Sequence, residues 1–327
     1  TVTTEGVELY HFESLDLFRF QWPNTTTIYY AEKLENITVA EGNERYGSKN
    51  GMLYGKYTDE NDDTTKTNDL VRLYVCPYNL NDSSVTDGVV TLPNSVREIY
   101  QNAFWKNAVV KKIKFETVSG GTAASSLTIG TDAFVGATGL TEFDLPSGMT
   151  TIKTGMFKGC SGLIKVWIPN TVSLIEVGAF EGCSALTTVE FEKGNDSNKL
   201  ILGDGSSTTK NEGDGTNYEC LTTIVEGAFG YYCEKVETFN NGQERWTETT
   251  EEFGFLKLTS IELPKRLSKI GAYAFYGCGL ATVDFGKDSN VEVIAERAFT
   301  NSGLTTIKLV EEVTAAADRI RTRCPDS

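Results

Sequence analysis

PNTVSLIEVGAFEGCSALTTVEF, residues 169–191, is preceded without a break by PSGMTTIKTGMFKGCSGLIKVWI, residues 146–168. Both stretches carry a proline at the first position, a phenylalanine eleven residues on, a Gly-Cys-Ser next, and an alternating V-x-F or V-x-I at the end. Recurrence of several landmarks at a fixed 23-residue offset is the mark of a solenoid, whose units cannot bury their apolar faces alone and must stack.

Working outward on the phenylalanine gives Phe104, Phe134, Phe157, Phe180, Phe229, Phe275 and Phe299, with gaps of 30, 23, 23, 49, 46 and 24. The two long gaps are close to two units each and predict a hidden unit in each. Phe253, Leu258, Ile261 and Leu263 supply one set of spacings, and Leu200-Ile201-Leu202 the strand of the other. Pro93, Pro146, Pro169 and Pro264 lie eleven residues before their phenylalanines and punctuate one corner of the coil. After each corner runs a short extended arm (Val96 and Ile99, Met149 and Ile152, Val172 and Ile175, Leu267 and Ile270). A brief helical or 3₁₀ turn about the phenylalanine follows, and then a strand with the period of two. A single coil offers about six large apolar residues, too few to offset the ordering of its backbone, so the array folds only as an array.

The expected fold is therefore an α/β repeat, a leucine-rich-repeat-like right-handed solenoid. It has short β-strands on one face and turns, 3₁₀ or short helical segments on the other. Residues 1–36 read as a strand-rich cap or atypical repeats, with strands near 16–20 and 26–30 about a Pro23-Asn24 turn. Residues 37–88 form an interrupting hairpin-like unit. In it Ile37-Thr38-Val39 reads as a strand, and Met52-Leu53-Tyr54 and Leu73-Tyr74-Val75 as two hairpin strands. The array runs from 89 to 309 with insertions near 116–126 and 194–219. Residues 310–327 form a cap or tail, with a short helix around 313–323.

The motif LPxSVxxIxxxAFxxCxxLxxVxF resembles the BspA-like leucine-rich repeat, most closely at residues 93–115, 169–191 and 264–285. The stretch ITVAEGNERYGSKNGMLYGK followed by LVRLYVCPYN resembles a unit that interrupts such arrays in that family. The resemblance implies an extracellular or surface-attached protein that adheres to a host or microbial protein or glycoprotein, and implies no enzyme. The alternative is a spacer or self-assembly domain of a surface protein.

The remaining composition narrows the classes. With 45 acidic and 30 basic side chains the net charge is -15, which disfavours nucleic acid and anionic membranes as partners. No apolar run is long enough to span a bilayer. The start lacks the basic and apolar regions of a signal peptide, and also lacks a Met, so a leader removed earlier is expected. Seven cysteines without a CxxC argue against a zinc cluster, and three of them, Cys160, Cys183 and Cys278, sit at one repeated site as buried free thiols. The lone His11 has no second histidine to work with. The carboxylates Asp59, Asp62, Asp63 and Asp69, and Glu248, Glu251 and Glu252, fall in solvent-biased segments rather than a cleft. No hydrolase, metalloprotease, P-loop or dinucleotide motif is present. Catalytic, metal and cofactor residues are thus expected to be none. A binding surface is sought on outward strand positions, which vary from unit to unit: Lys112, Lys114, Lys165, Trp167, Glu190, Asp284 and Lys308, with Trp167 as the aromatic anchor.

Overall fold

A computed structural model describes residues 19–21, 28–30, 33–57, 67, 69–116, 127–194, 197–211, 218–239, 244–247, 257–286 and 289–308. His11, the Pro23-Asn24 turn, most of the acidic loop at 58–69, the insertion at 117–126, Phe253, the acidic cluster at 248–252 and the tail helix lie outside those residues.

Each coil contributes two strands, and both stack into parallel ladders. The arm after the corner gives Glu98–Ile99, Thr128–Ile129, Thr151–Ile152, Leu174–Ile175, Leu200–Leu202, Leu267–Ile270 and Val293–Ile294, termed here the arm ladder. The alternating segment gives Val89–Leu92, Lys112–Phe115, Glu142–Asp144, Lys165–Ile168, Thr188–Phe191, Ser260–Glu262, Thr282–Asp284 and Thr306–Lys308, termed the face ladder. Registers advance by one coil at a time: Val166 opposes Val189, and Ile152 opposes Ile175. Alternation then fixes the core. Val90, Ile113, Phe143, Val166, Val189, Ile261 and Val283 point inward from the face ladder and are buried, as are Ile99, Ile129, Ile152, Ile175, Leu202 and Ile270 from the arm ladder. Only one strand face per coil was expected, so the second ladder is an addition.

Between the ladders runs a column of phenylalanines. Phe104, Phe134, Phe157, Phe180, Phe229, Phe275 and Phe299 stack in that order, with centroids 4.9 to 5.3 Å apart. That spacing lies within the range favoured for offset aromatic pairs. The stack corrects one expectation. Phe229 lies one coil from Phe180 and one coil from Phe275, so neither long gap hides a further unit. Leu200–Leu202 and Ser260–Glu262, expected to belong to two hidden coils, are the two halves of the single coil whose rung is Phe229. The extra length is an antiparallel sheet, ordered Ser206–Asn211, Tyr218–Glu226, Tyr231–Phe239 and Glu244–Thr247. Its two nine-residue central strands converge on Gly227 to Gly230, which is buried in the solenoid as the rung itself. A Cβ at Gly227 would stand 1.9 Å from the Tyr273 carbonyl oxygen, and one at Gly230 would stand 2.4 Å from it, so backbone passes where side chains cannot.

The expected helical or 3₁₀ face is absent among the described residues; the phenylalanine corners are chains of turns. Two causes act together. In the Phe104 corner the Ala103, Trp105 and Asn107 N–H groups donate three residues back, but the Phe104 and Lys106 N–H groups donate to Ala133 and Val135 of the next coil. Every second donor is diverted to a neighbour, so consecutive i to i+3 bonds never form. The residues two before and two after every column phenylalanine except Phe229 also take left-handed φ, as at Gly155 (65°) and Gly159 (71°), which no right-handed helix accommodates.

At the N-terminal side, Tyr46–Lys49 and Met52–Gly55 form a hairpin through Asn50 and Gly51, both at positive φ, the signature of a two-residue hairpin turn. Met52–Gly55 then pairs antiparallel with Arg72–Val75, as the sequence suggested. Arg72–Val75 in turn pairs parallel with Glu98–Ile99, so the interrupting unit is fused to the arm ladder. Residues 37–39 are not a strand; Ile37 and Val39 donate their N–H groups to the Gly51 carbonyl and the Ser48 hydroxyl. Arg19–Gln21 and Ile28–Tyr30 form a separate antiparallel pair.

Candidate functional site: the outer face of the face ladder

The period of two that buries one set of side chains turns the other set outward in register. One outward row reads Lys112, Glu142, Lys165, Thr188, and the next reads Lys114, Asp144, Trp167, Glu190. Beyond the inserted sheet the same rows continue as Ser260, Thr282, Thr306 and as Glu262, Asp284, Lys308. All seven residues singled out from sequence therefore stand at outward positions of the face ladder, distributed over the three successive sheets that make it up. Lys114, Glu190 and Lys308 are exposed, while Lys112, Lys165, Trp167 and Asp284 are half-buried. Ile164, just before its strand, is 49 % exposed on the same ladder.

Charges on this face largely answer one another. Lys112 meets Glu142 at 2.5 Å, Lys165 meets Glu190 at 2.8 Å, and Lys308 meets Asp284 at 3.3 Å. The hydrogen bond to Glu142 raises the Lys112 ammonium above its ordinary value. The Gly286 N–H and Lys308 hold the Asp284 carboxyl below the usual range. Asp144 and Glu262 carry no ion pair among the described residues. Beside the rows, Thr141, Thr187 and Thr305 return their hydroxyls to Lys111, Ile164 and Ala281 carbonyls of the preceding coil, a polar hem along the ladder.

The repeated cysteines belong to the core. Cys160, Cys183 and Cys278 are free and buried, and each thiol donates to a phenylalanine carbonyl of the preceding coil: Phe134, Phe157 and Phe229, at 3.0, 3.1 and 3.3 Å. Burial raises all three thiols far out of the reactive range. Asn107 takes the same position in its own coil. Its amide donates to the Pro77 carbonyl at 2.7 Å and to Cys76 Sγ, and its Oδ1 accepts from the Val109 and Val110 N–H groups.

Two polar features were not legible in the sequence. Arg266, 1 % exposed, sends its guanidinium past the Phe229 coil to carbonyls of Val172 and Pro169 and approaches that of Asn198. The Phe229 coil has no corner proline, and Asn198 with Arg266 fills the corner; the Asn198 amide adds bonds to the Asn170 and Thr171 carbonyls. On the phenylalanine corners, Glu181 is buried against Lys158 at 2.8 Å, and Lys158 in turn lies one coil from Asp132. Burial pushes the Asp132 carboxyl up, and Lys158 opposes that. Neither arrangement brings reactive groups into a cleft. Among the described residues no set of His, Cys, Asp and Glu converges to hold a metal ion, and no helix is long and apolar enough to cross a membrane.

Comparison with solved structures finds leucine-rich repeat proteins. One from Eubacterium ventriosum is 19 % identical, with 87 % of this chain and 56 % of that chain covered and a TM-score of 0.44. The pneumococcal vaccine antigen PcpA is 17 % identical over 76 % of this chain and 53 % of its own, with a TM-score of 0.32. A leucine-rich cell surface protein from Faecalibacterium prausnitzii is 16 % identical over 86 % and 90 %, with a TM-score of 0.27. The chain thus spans little more than half of the first of these. A comparison with curated proteins gives no match. The family model for the BspA type leucine rich repeat region matches in six copies over residues 115–200 and 247–324, half of the chain. By this match the chain is a member of the BspA-type leucine-rich-repeat family.

Proposed function

We propose that the protein is a secreted or cell-surface adhesion module that binds a host or microbial protein or glycoprotein through the outer face of its face ladder and adjoining loops. The observation that carries this reading is the contrast within single strands. In Lys165–Ile168 the inward Val166 and Ile168 are buried and repeat in kind from coil to coil, whereas the outward positions change in character along the ladder, as in Glu142, Lys165 and Thr188 and in Asp144, Trp167 and Glu190. A rigid scaffold with a variable exposed row is what recognition needs, and Trp167 supplies the large aromatic on which contact energy concentrates. Lys112, Lys114, Lys165, Glu190, Asp284 and Lys308 set its polar surroundings.

The test is binding to a panel of purified host proteins and to a glycan array, with and without Trp167→Ala. A specific partner that loses at least about ten-fold in affinity on substitution supports the reading. Unchanged binding, or no ligand at high protein concentration, sinks it. The spacer or self-assembly reading has one observation in its favour: the inward-type residue Ile307, on the last described coil, is 47 % exposed. Concentration-dependent oligomers in light scattering would favour it.

A further inference from the structure

The rows of the face ladder also indicate what kind of group is bound. Asp144, Trp167 and Glu190 are backbone partners in three successive strands, so Trp167 stands between two exposed acidic residues whose backbones each lie about one strand spacing (~4.8 Å) away. The same row continues beyond the insert with Glu262 and Asp284. Lys165, in the adjacent row, reaches across to Glu190 at 2.8 Å, but both side chains are about half exposed and such a pair is readily exchanged.

We propose that this notch seats a basic side chain of a protein partner, arginine above all, with its planar cation over the Trp167 ring and the carboxylates of Asp144 and Glu190 at its edges. The proposal rests on the binding-face reading given above. A guanidinium stacks on an aromatic face and bonds carboxylates in its own plane, so both parts of the notch are used at once. An anionic ligand would meet two carboxylates, with no cation in its own row nearer than Lys114 or the Asp284-paired Lys308. A neutral sugar would stack on the indole but use neither charge. Lys165 acts as an internal occupant, holding Glu190 until a partner's cation displaces it. The net charge of -15 adds a long-range attraction for basic partners that weakens as salt rises.

The full chain is titrated with an arginine-glycine repeat peptide, its lysine counterpart and an array of neutral glycans, and circular dichroism verifies that each variant is folded. Expected results are arginine peptide bound more tightly than lysine peptide, about five-fold or greater weakening by Trp167→Ala, and about two- to five-fold weakening by Asp144→Asn. Lys165→Met, which frees Glu190, tightens binding about two-fold or more. Lys199→Met, on the arm ladder and paired with Glu292, removes the same charge without that effect. Peptide affinity insensitive to Trp167→Ala, or equal gains from Lys165→Met and Lys199→Met, overturns the cation seat. Salt-independent binding of a neutral glycan that requires Trp167 overturns it too, yet leaves the binding face standing. If no ligand of either class responds to Trp167→Ala, both proposals fall.

Discussion

Asp132 shows how a single residue's backbone and charge are set against each other. Its φ of 57° lies in the left-handed region, which asparagine and aspartate tolerate better than most residues. Its carboxyl, however, is raised by burial, so the ionised form is disfavoured in the fold. An acid whose folded pKa is raised contributes stability that is present below its unfolded pKa, about 3.9, and lost as pH rises through the folded value. Asp132→Asn keeps the backbone preference and removes the charge. The variant is expected to unfold at a higher denaturant midpoint than the parent at pH 7, with the difference vanishing below about pH 4. A variant less stable than the parent at pH 7 contradicts this account. Single residues were the best-read scale in the sequence: the seven phenylalanines of the column, the corner prolines and the thiols at one repeated site follow from spacing alone. Arg266 did not, because a buried arginine is specified by the carbonyls of another coil, which no local window contains. Asn50-Gly51 is the counterexample, a standard hairpin signal present in the sequence and overlooked beside the louder repeat.

At the scale of elements, the corners explain why the turn face is not helical, and the Phe229 coil explains where counting fails. A residue count cannot distinguish two coils from one coil plus an insertion of similar length, and gaps of 49 and 46 sit close to twice the repeat. Only the stack at 4.9 and 5.3 Å around Phe229 separates the cases. The coil that carries the insert also lacks its own corner proline, and Arg266 bridges the vacancy. Arg266→Met keeps the length and burial but strips donors from the Val172 and Pro169 carbonyls. A loss of about 2–4 kcal/mol is expected from denaturant unfolding, since buried acceptors are left without partners. Arg266→Lys, a point charge that cannot span the same carbonyls, is expected to recover less than half of it. A loss under about 0.5 kcal/mol would show that the corner holds without this side chain.

Across the whole molecule, the coils share one core, so protection of any buried group reports on the stack as a unit. Cys76, Cys160, Cys183 and Cys278 are free, buried, and spread from the hairpin unit to the late coils. Burial raises their thiols well above the ordinary range. Under native conditions all four are expected to resist alkylation, and mass-spectrometric mapping through a denaturant series checks that they become labelled together. Labelling of Cys278 well before Cys160 would instead show that the array opens coil by coil. The family, the ladder and its buried side were legible at this scale because they depend on periodicity. The ligand-facing side was legible only as a list of outward positions, since alternation states which way a residue points and not which neighbours share its row.

The tip-first entry of the inserted sheet has a mechanical meaning. Its two longest strands meet at a turn clamped between Phe180 and Phe275, with tyrosine backbone closing over Gly227 and Gly230. Tension applied along those strands is delivered to a ring wedged in a stack rather than to a surface hinge. The sheet is a handle set into the rod, and a pull on it loads the coils on both sides.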